Sequence, residues 1–300
     1  MSAPAAFESF VRRAGGGVLR AAAWFALFLL LQIGGVLLLT EMPLRLEGKA
    51  LLLTHAVSLF AAVAAGLLML RFDGRPARDL GFAIDRRAAR QTLLGTGVGV
   101  AGLMVALVPM VAVGALRYDS DAGGVSAYAG TVVVDFGVLG VAAAAEEAVY
   151  RGYAFQVLAA TVNPVAATLA GSAAFAWAHA QNPNVGTFAF ANIFLAGVLL
   201  SIAVLRSGSL WLATGIHVGW NWAMASLADL PVSGLEFFDT PLYEPGLHGA
   251  EWLTGGSFGP EGGLAGTLGF AAALGLVLVL TKNGKPGNER GTVAGPRVGA

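Results

Sequence analysis

Residues 130–151 read GTVVVDFGVLGVAAAAEEAVYR, and this stretch holds the pattern that decides the fold. Between Gly130 and Ala145 the only charged side chain is Asp135, after which Glu146, Glu147 and Arg151 follow within two turns. The apolar character continues to Val157 and covers every face of a helix, so the segment belongs in lipid or deep inside a bundle rather than on a wetted surface. The whole chain agrees. Of 300 residues 56% are hydrophobic and 12% charged, with a mean hydropathy of +0.72, whereas ordinary globular domains carry about 25% charged residues. So few charges cannot cover so much apolar area in water. The expected fold is all-α: a polytopic membrane protein.

A spanning helix needs roughly 20 mostly apolar residues. Eight runs qualify, at about 21–39, 50–70, 92–116, 130–157, 163–180, 187–205, 209–228 and 263–281. The first follows Arg12, Arg13 and Arg20, the start of a signal peptide in outline. Its apolar run is longer than the roughly 7–15 residues of a cleaved signal, so it reads as a retained helix. Between runs two and three lie Arg71, Arg75, Arg78, Arg86, Arg87 and Arg90; after run six comes Arg206, and after run eight Lys282, Lys285, Arg290 and Arg297. With eight spans these fall on one side, leaving Arg45, Lys49 and Arg117 opposite, and the basic side marks the cytoplasm. Both termini are expected there, in a multi-pass protein of a prokaryotic cell membrane.

Four regions follow. Residues 1–129 hold three helices and, at 72–91, a basic amphipathic helix expected on the inner surface. Residues 130–228 form a core of four helices, and 229–262 an external loop rich in Gly, Pro and acids. Residues 263–300 hold the last helix and a tail, from Asn283, with a disordered composition. Formal net charge is zero, which gives nucleic acid nothing to bind. Cysteine is absent, so disulfides, thiol nucleophiles and Cys-ligated metals are excluded. Oligomeric state leaves no mark in the sequence.

Two short motifs mislead. Gly97-Val98-Gly99-Val100-Ala101-Gly102 spells a dinucleotide fingerprint but lies inside an apolar span, where small residues serve close helix packing. Gly255-Gly256-Ser257-Phe258-Gly259 spells a nucleophile elbow but sits in a loop, without the strand and helix that motif requires.

Ionisable groups in a bilayer cost on the order of 2.5–3.5 kcal/mol each and need partners. Glu147 and Arg151 are i,i+4 on one helix face and can neutralise each other. Glu146 is rotated about 100° away and lacks that partner, an environment suited to a general base. His179 lies in the fifth run with Phe175 four residues earlier; His217 and Asn221, again i,i+4, lie in the seventh. Counted from the inner ends, Glu146, His217 and His179 lie about 17, 12 and 24 Å deep, a mismatch of about 10 Å for tilt to absorb. His55 reads as an interhelical hydrogen bond and Asp135 as a wet interfacial acid. The alternative reading of the cluster is non-catalytic, a proton or substrate site in a transporter or a partner-binding scaffold, although no internal repeat supports transport.

In order, the chain carries Glu146-Glu147-Ala148-Val149-Tyr150-Arg151, Phe175-Ala176-Trp177-Ala178-His179 and His217-Val218-Gly219-Trp220-Asn221. These resemble the E-E-x-x-x-R, F-x-x-x-H and H-x-x-x-N/D motifs of the CPBP intramembrane protease family, which takes in CAAX prenyl endopeptidases and bacteriocin-processing (Abi) proteins. The context Gly208-Ser209-Leu210-Trp211 is similar too. The resemblance spans about 130–228. It implies endopeptidase action on a membrane-associated protein or peptide, with Glu146 and His179 activating water, and His217 and Asn221 holding the oxyanion. Glu147, Arg151 and Phe175 would support them. Glu146, His179 and His217 would also make a Glu/His/His zinc set, as in a metalloprotease, with water as fourth ligand. H-E-x-x-H is absent, and a ligated Glu146 could not act freely as base, so a metal-free route and a zinc route both stand. The motifs do not say whether the substrate is prenylated.

Overall fold

A computed structural model describes residues 3–41, 50–236 and 238–282. The chain runs α1 (Ala3–Glu41), α2 (Ala50–Phe72), α3 (Arg86–Ala112), β1 (Leu116–Ser120), α4 (Val125–Arg151), α5 (Tyr153–Thr161), α6 (Pro164–Ala178), α7 (Thr187–Ser207), α8 (Leu210–Trp222), β2 (Tyr243–Leu247), α9 (Glu251–Thr254) and α10 (Leu264–Leu280). Five helical stretches among the described residues are long and apolar enough to cross a membrane: 5–40, 50–72, 86–112, 125–161 and 187–207. The other three apolar runs hold the shorter helices α6, α8 and α10. Large apolar side chains such as Phe60, Leu30, Leu93, Val133, Trp177 and Val279 face outward, as a lipid-covered surface requires.

The fourth expected span is two helices. The break falls at Gly152, where the bent backbone passes so close to the Ala148 carbonyl oxygen that a Cβ would not fit. The chain turns, and α5 leaves to pack on α1, where Gly17 faces Thr161. The central contact is α3 against α8. Cβ atoms placed on Gly95 and Gly99 would strike the carbonyl oxygens of Leu212 and Ile216, and those placed on Gly215 and Gly219 would strike Thr92 and Thr96. Two small-x-x-x-small ridges thus interlock backbone to backbone. Gly102 meets Gly269 and Trp220 in the same way, while Gly97 faces open space. The fingerprint-like glycines are therefore a packing surface. Ser257 of the other motif lies on an exposed 3-10 turn that follows the short helix α9 rather than a strand.

The basic surface helix expected at 72–91 does not form. Pro76 precedes a single 3-10 turn (Ala77–Leu80), Gly81 ends it at φ 99°, and Asp85 caps α3 by accepting from Ala88 N at 2.9 Å. Proline and left-handed glycine stop a helix, and an N-cap starts a new one. Arg86, Arg87 and Arg90 therefore ride on the first turns of α3. The segment is pinned to the start of α8: the Leu210 N–H and Ser209 hydroxyl donate to the Gly81 carbonyl, and Trp211 Nε1 donates to Ala83. Arg87 also donates to Ser207 O and Arg206 to Thr281, so the basic connections gather at one end of the bundle.

The opposite end is built from β1 and β2, antiparallel with Leu116 beside Leu247 and Ser120 beside Tyr243. Asp135 is a further correction. It is buried at 5% exposure and accepts from Ser226 Oγ at 2.9 Å, because a π-turn at Ala223–Leu227 swings that hydroxyl toward α4. The tail from Asn283 lies outside the described residues.

Candidate active site

Glu146 and Glu147 come from the last turns of α4, Phe175 and His179 from the end of α6, His217 and Asn221 from α8. Glu146, Phe175, His179, His217 and Asn221 line one cavity, whose walls include Leu139, Ile193, Leu200 and Ile216. Fifteen residues make α6 about 22 Å long, and His179 at its C-cap lines the same cavity as Glu146 and His217 although the depths counted from the sequence differ by about 10 Å.

His217 is the junction. Its Nδ1 lies 3.0 Å from Glu147 Oε1, and its Nε2 lies 3.7 Å from Glu146 Oε2. A carboxylate only accepts, so Nδ1 carries a proton. The facing Nε2 and Glu146 oxygen then need one further proton between them to attract. That Glu146 oxygen is buried without a hydrogen-bond partner. Glu147 also takes Arg151 Nη1 at 3.2 Å, and both side chains are fully buried. Arg151 spends its other arm on the Gly197 carbonyl at 3.3 Å and lays its guanidinium 4.4 Å from the centre of the Phe175 ring. Phe175 in turn stands 4.6 Å from the His179 ring and 6.0 Å from that of His217. The expected pair Glu147–Arg151 is thus present, and it holds His217 as well as itself.

The His179 Nδ1 bonds the Phe175 carbonyl at 2.8 Å. A carbonyl cannot donate, so Nδ1 is the donor and Nε2 keeps its lone pair in the neutral ring. His55 is corrected: it bonds Leu51 O in its own helix at 2.8 Å, and both residues line the cavity.

Zinc can be tested against these positions. The only set of three His, Asp or Glu residues among the described ones whose ligand atoms all lie within 4.8 Å of one another is Asp229, Asp239 and Glu244, on the outer face. Glu146 and His217 adjoin, with Glu147 behind the imidazole as a ligand-orienting carboxylate would stand. His179 does not close the set, so as placed the three do not fit a zinc site.

Sequence reasoning missed Glu261. It lines the same cavity at 3% exposure, brought in by the loop before α10. Its Oε1 accepts from Trp220 Nε1 at 2.9 Å, and Oε2 from Ser233 N at 2.9 Å and Ser233 Oγ at 2.7 Å. Burial pushes its carboxyl up from the usual range; the Ser233 hydrogen bond, the nearby His179 and Trp220 pull it back. One acid among several in a polar loop carries no spacing signal that would single it out.

Residues 129–223 match the family model described as Type II CAAX prenyl endopeptidase Rce1-like. The match covers 95 of the 300 residues and makes this segment similar to that family. Within the chain, the match begins in the first turns of α4 and ends just past α8, so it contains all three motifs and leaves α1 to α3, the outer loop, Glu261 and α10 outside. A search of curated proteins finds no match.

Proposed function

We propose that the protein is an intramembrane endopeptidase that hydrolyses a peptide bond of a membrane-associated protein or peptide. One observation carries the reading: Glu146, His179, His217 and Asn221, from three helices of the CPBP-matched segment, line a single cavity whose remaining walls are largely apolar. Glu146, with its unpartnered oxygen, takes a proton from water, assisted by the His179 Nε2 lone pair. The hydroxide attacks the carbonyl carbon. Protonated His217, held at Nδ1 by Glu147, and the Asn221 amide donate to the developing oxyanion. Collapse expels the amine, which takes the proton that Glu146 received. Arg151 and Phe175 hold Glu147 and His179 in place. Because the three candidate ligands do not close around a point, no step is routed through zinc.

The bundle would carry eight spans, α6, α8 and α10 completing the five long ones, with the Arg-rich end in the cytoplasm of a cell membrane. The test uses purified Glu146→Gln, His179→Ala, His217→Ala and Asn221→Ala. Each is expected to remain folded in the membrane, His217→Ala with a lower unfolding temperature because Glu147 loses a partner, and to lose turnover of membrane-anchored peptides that the wild type cleaves. Full activity of Glu146→Gln would remove the proposed base.

A further inference from the structure

Glu261 draws together four parts of the chain. Oε1 holds Trp220, which lies between His217 and Asn221 on α8. Oε2 holds the N–H and hydroxyl of Ser233, and the Ser233 carbonyl accepts from Asn182 Nδ2 at 2.9 Å, three residues beyond His179. The Glu261 carbonyl, with that of Gly263, accepts from Asn192 Nδ2 on α7, both at 2.8 Å. The loop this carboxylate grips is held under strain. Ser233 has φ 50°, a left-handed conformation that costs a non-glycine residue about 1–2 kcal/mol. The next residue, Gly234, has φ 79° and passes so close to the Pro183 carbonyl that a Cβ would not fit. Val232, Leu235 and Phe238 of the same loop line the cavity.

From this geometry we infer that Glu261 is a positioning residue: its carboxylate fastens the outer loop into the cavity mouth and fixes the His179 turn against the His217–Asn221 face of α8. The inference rests on the proposed endopeptidase reading and extends it to a residue outside the family match. Glutamine at 261 still accepts from Trp220, but its NH2 opposes the Ser233 N–H, which can only donate. Aspartate keeps the charge and shortens the reach.

Two readouts separate the possibilities. On a membrane-anchored peptide cleaved by the wild type, Glu261→Gln is expected to lower kcat about 10- to 100-fold with KM changed by less than about threefold. Ser233→Ala and Trp220→Phe are each expected to lower it less, and Trp220→Phe added to Glu261→Gln to lower it no further. Trp220 stacks on Phe270 at 4.2 Å, a contact that phenylalanine can retain. Unchanged kcat, or a loss that follows loss of folded protein, overturns the inference. The second readout needs no activity. The chain lacks cysteine, so Gln181→Cys and Glu236→Cys, both exposed, take spin labels cleanly in full-length protein in nanodiscs. A narrow inter-label distance that broadens in Glu261→Gln supports the strap, and an unchanged distribution overturns it. A wild type that cleaves nothing while the distance still broadens would sink the endopeptidase reading and leave the strap standing.

Discussion

Replacing Gly99 by alanine builds a Cβ 2.6 Å from Trp220 N and 3.0 Å from the Gly219 carbonyl carbon, with the Ile216 carbonyl oxygen nearer still. All three are backbone atoms, so no side chain can swing aside, and α3 and α8 must separate by roughly 1 Å to restore ordinary contact at about 3.5–4.0 Å. Overpacking of this kind costs about 1–3 kcal/mol. Gly97, two residues away on the same helix, meets nothing within 4 Å. Alanine there keeps only the gain in helix propensity, about 1 kcal/mol at most. The two substitutions have the same chemistry and opposite expected signs, separated by about 2 kcal/mol or more, roughly 30-fold in the unfolding equilibrium. Reversible unfolding in mixed micelles, followed by tryptophan fluorescence, measures the difference. Gly99→Ala is expected to lower turnover as well, since α8 carries His217 and Asn221. If Gly99→Ala proves as benign as Gly97→Ala, the backbone-to-backbone packing of α3 on α8 is wrong, and with it the placement of α8.

Arg151→Met leaves the fully buried Glu147 carboxylate with His217 as its one remaining partner and is expected to cost about 3–5 kcal/mol, with Glu147→Met on the same background recovering part of it; chemical unfolding of the two variants decides. At the outer end, burial raises the Asp229 pKa, Thr240 opposes this, and Asp239 and Asp121 add to it. A raised carboxyl favours the folded loop below its ordinary pKa of 3.8 and loses that advantage as pH rises through the folded value. Amide exchange around Thr240 should therefore slow as pH falls from 7 toward 4, once the intrinsic rate is corrected for. Asp229→Asn should slow it at neutral pH and flatten the dependence, because asparagine still accepts from Thr240 N and tolerates the φ of 51°. Faster exchange in Asp229→Asn would contradict this.

Hydropathy placed the five long helical stretches because runs apolar on all sides stand out, whereas the fourth run divides into two helices and three runs form helices shorter than a span. The residues that come to line the cavity stand out in the sequence too: Glu146 beside the i,i+4 pair Glu147 and Arg151, and two histidines with i−4 or i+4 companions, in apolar surroundings. What escaped was set by tertiary contact. Gly152 reads as one more small residue in a span until the Ala148 carbonyl is seen beneath it. Arginines 86, 87 and 90 suggested a surface helix, whereas Pro76, Gly81 and Asp85 divide that segment. Asp135 is buried and accepts from Ser226, which the π-turn brings to it. Glu261 enters the cavity through a loop whose path rests on left-handed residues and single hydrogen bonds.

Peptide-bond hydrolysis dependent on Glu146 is the central claim. Protein termini should be mapped across membranes from cells expressing wild type or Glu146→Gln at matched levels of folded protein. New termini near membrane spans that appear with wild type and vanish with Glu146→Gln are the predicted result. Identical terminus maps from the two, with both proteins folded in the membrane, would contradict the claim and favour a binding or transport role for the same cluster.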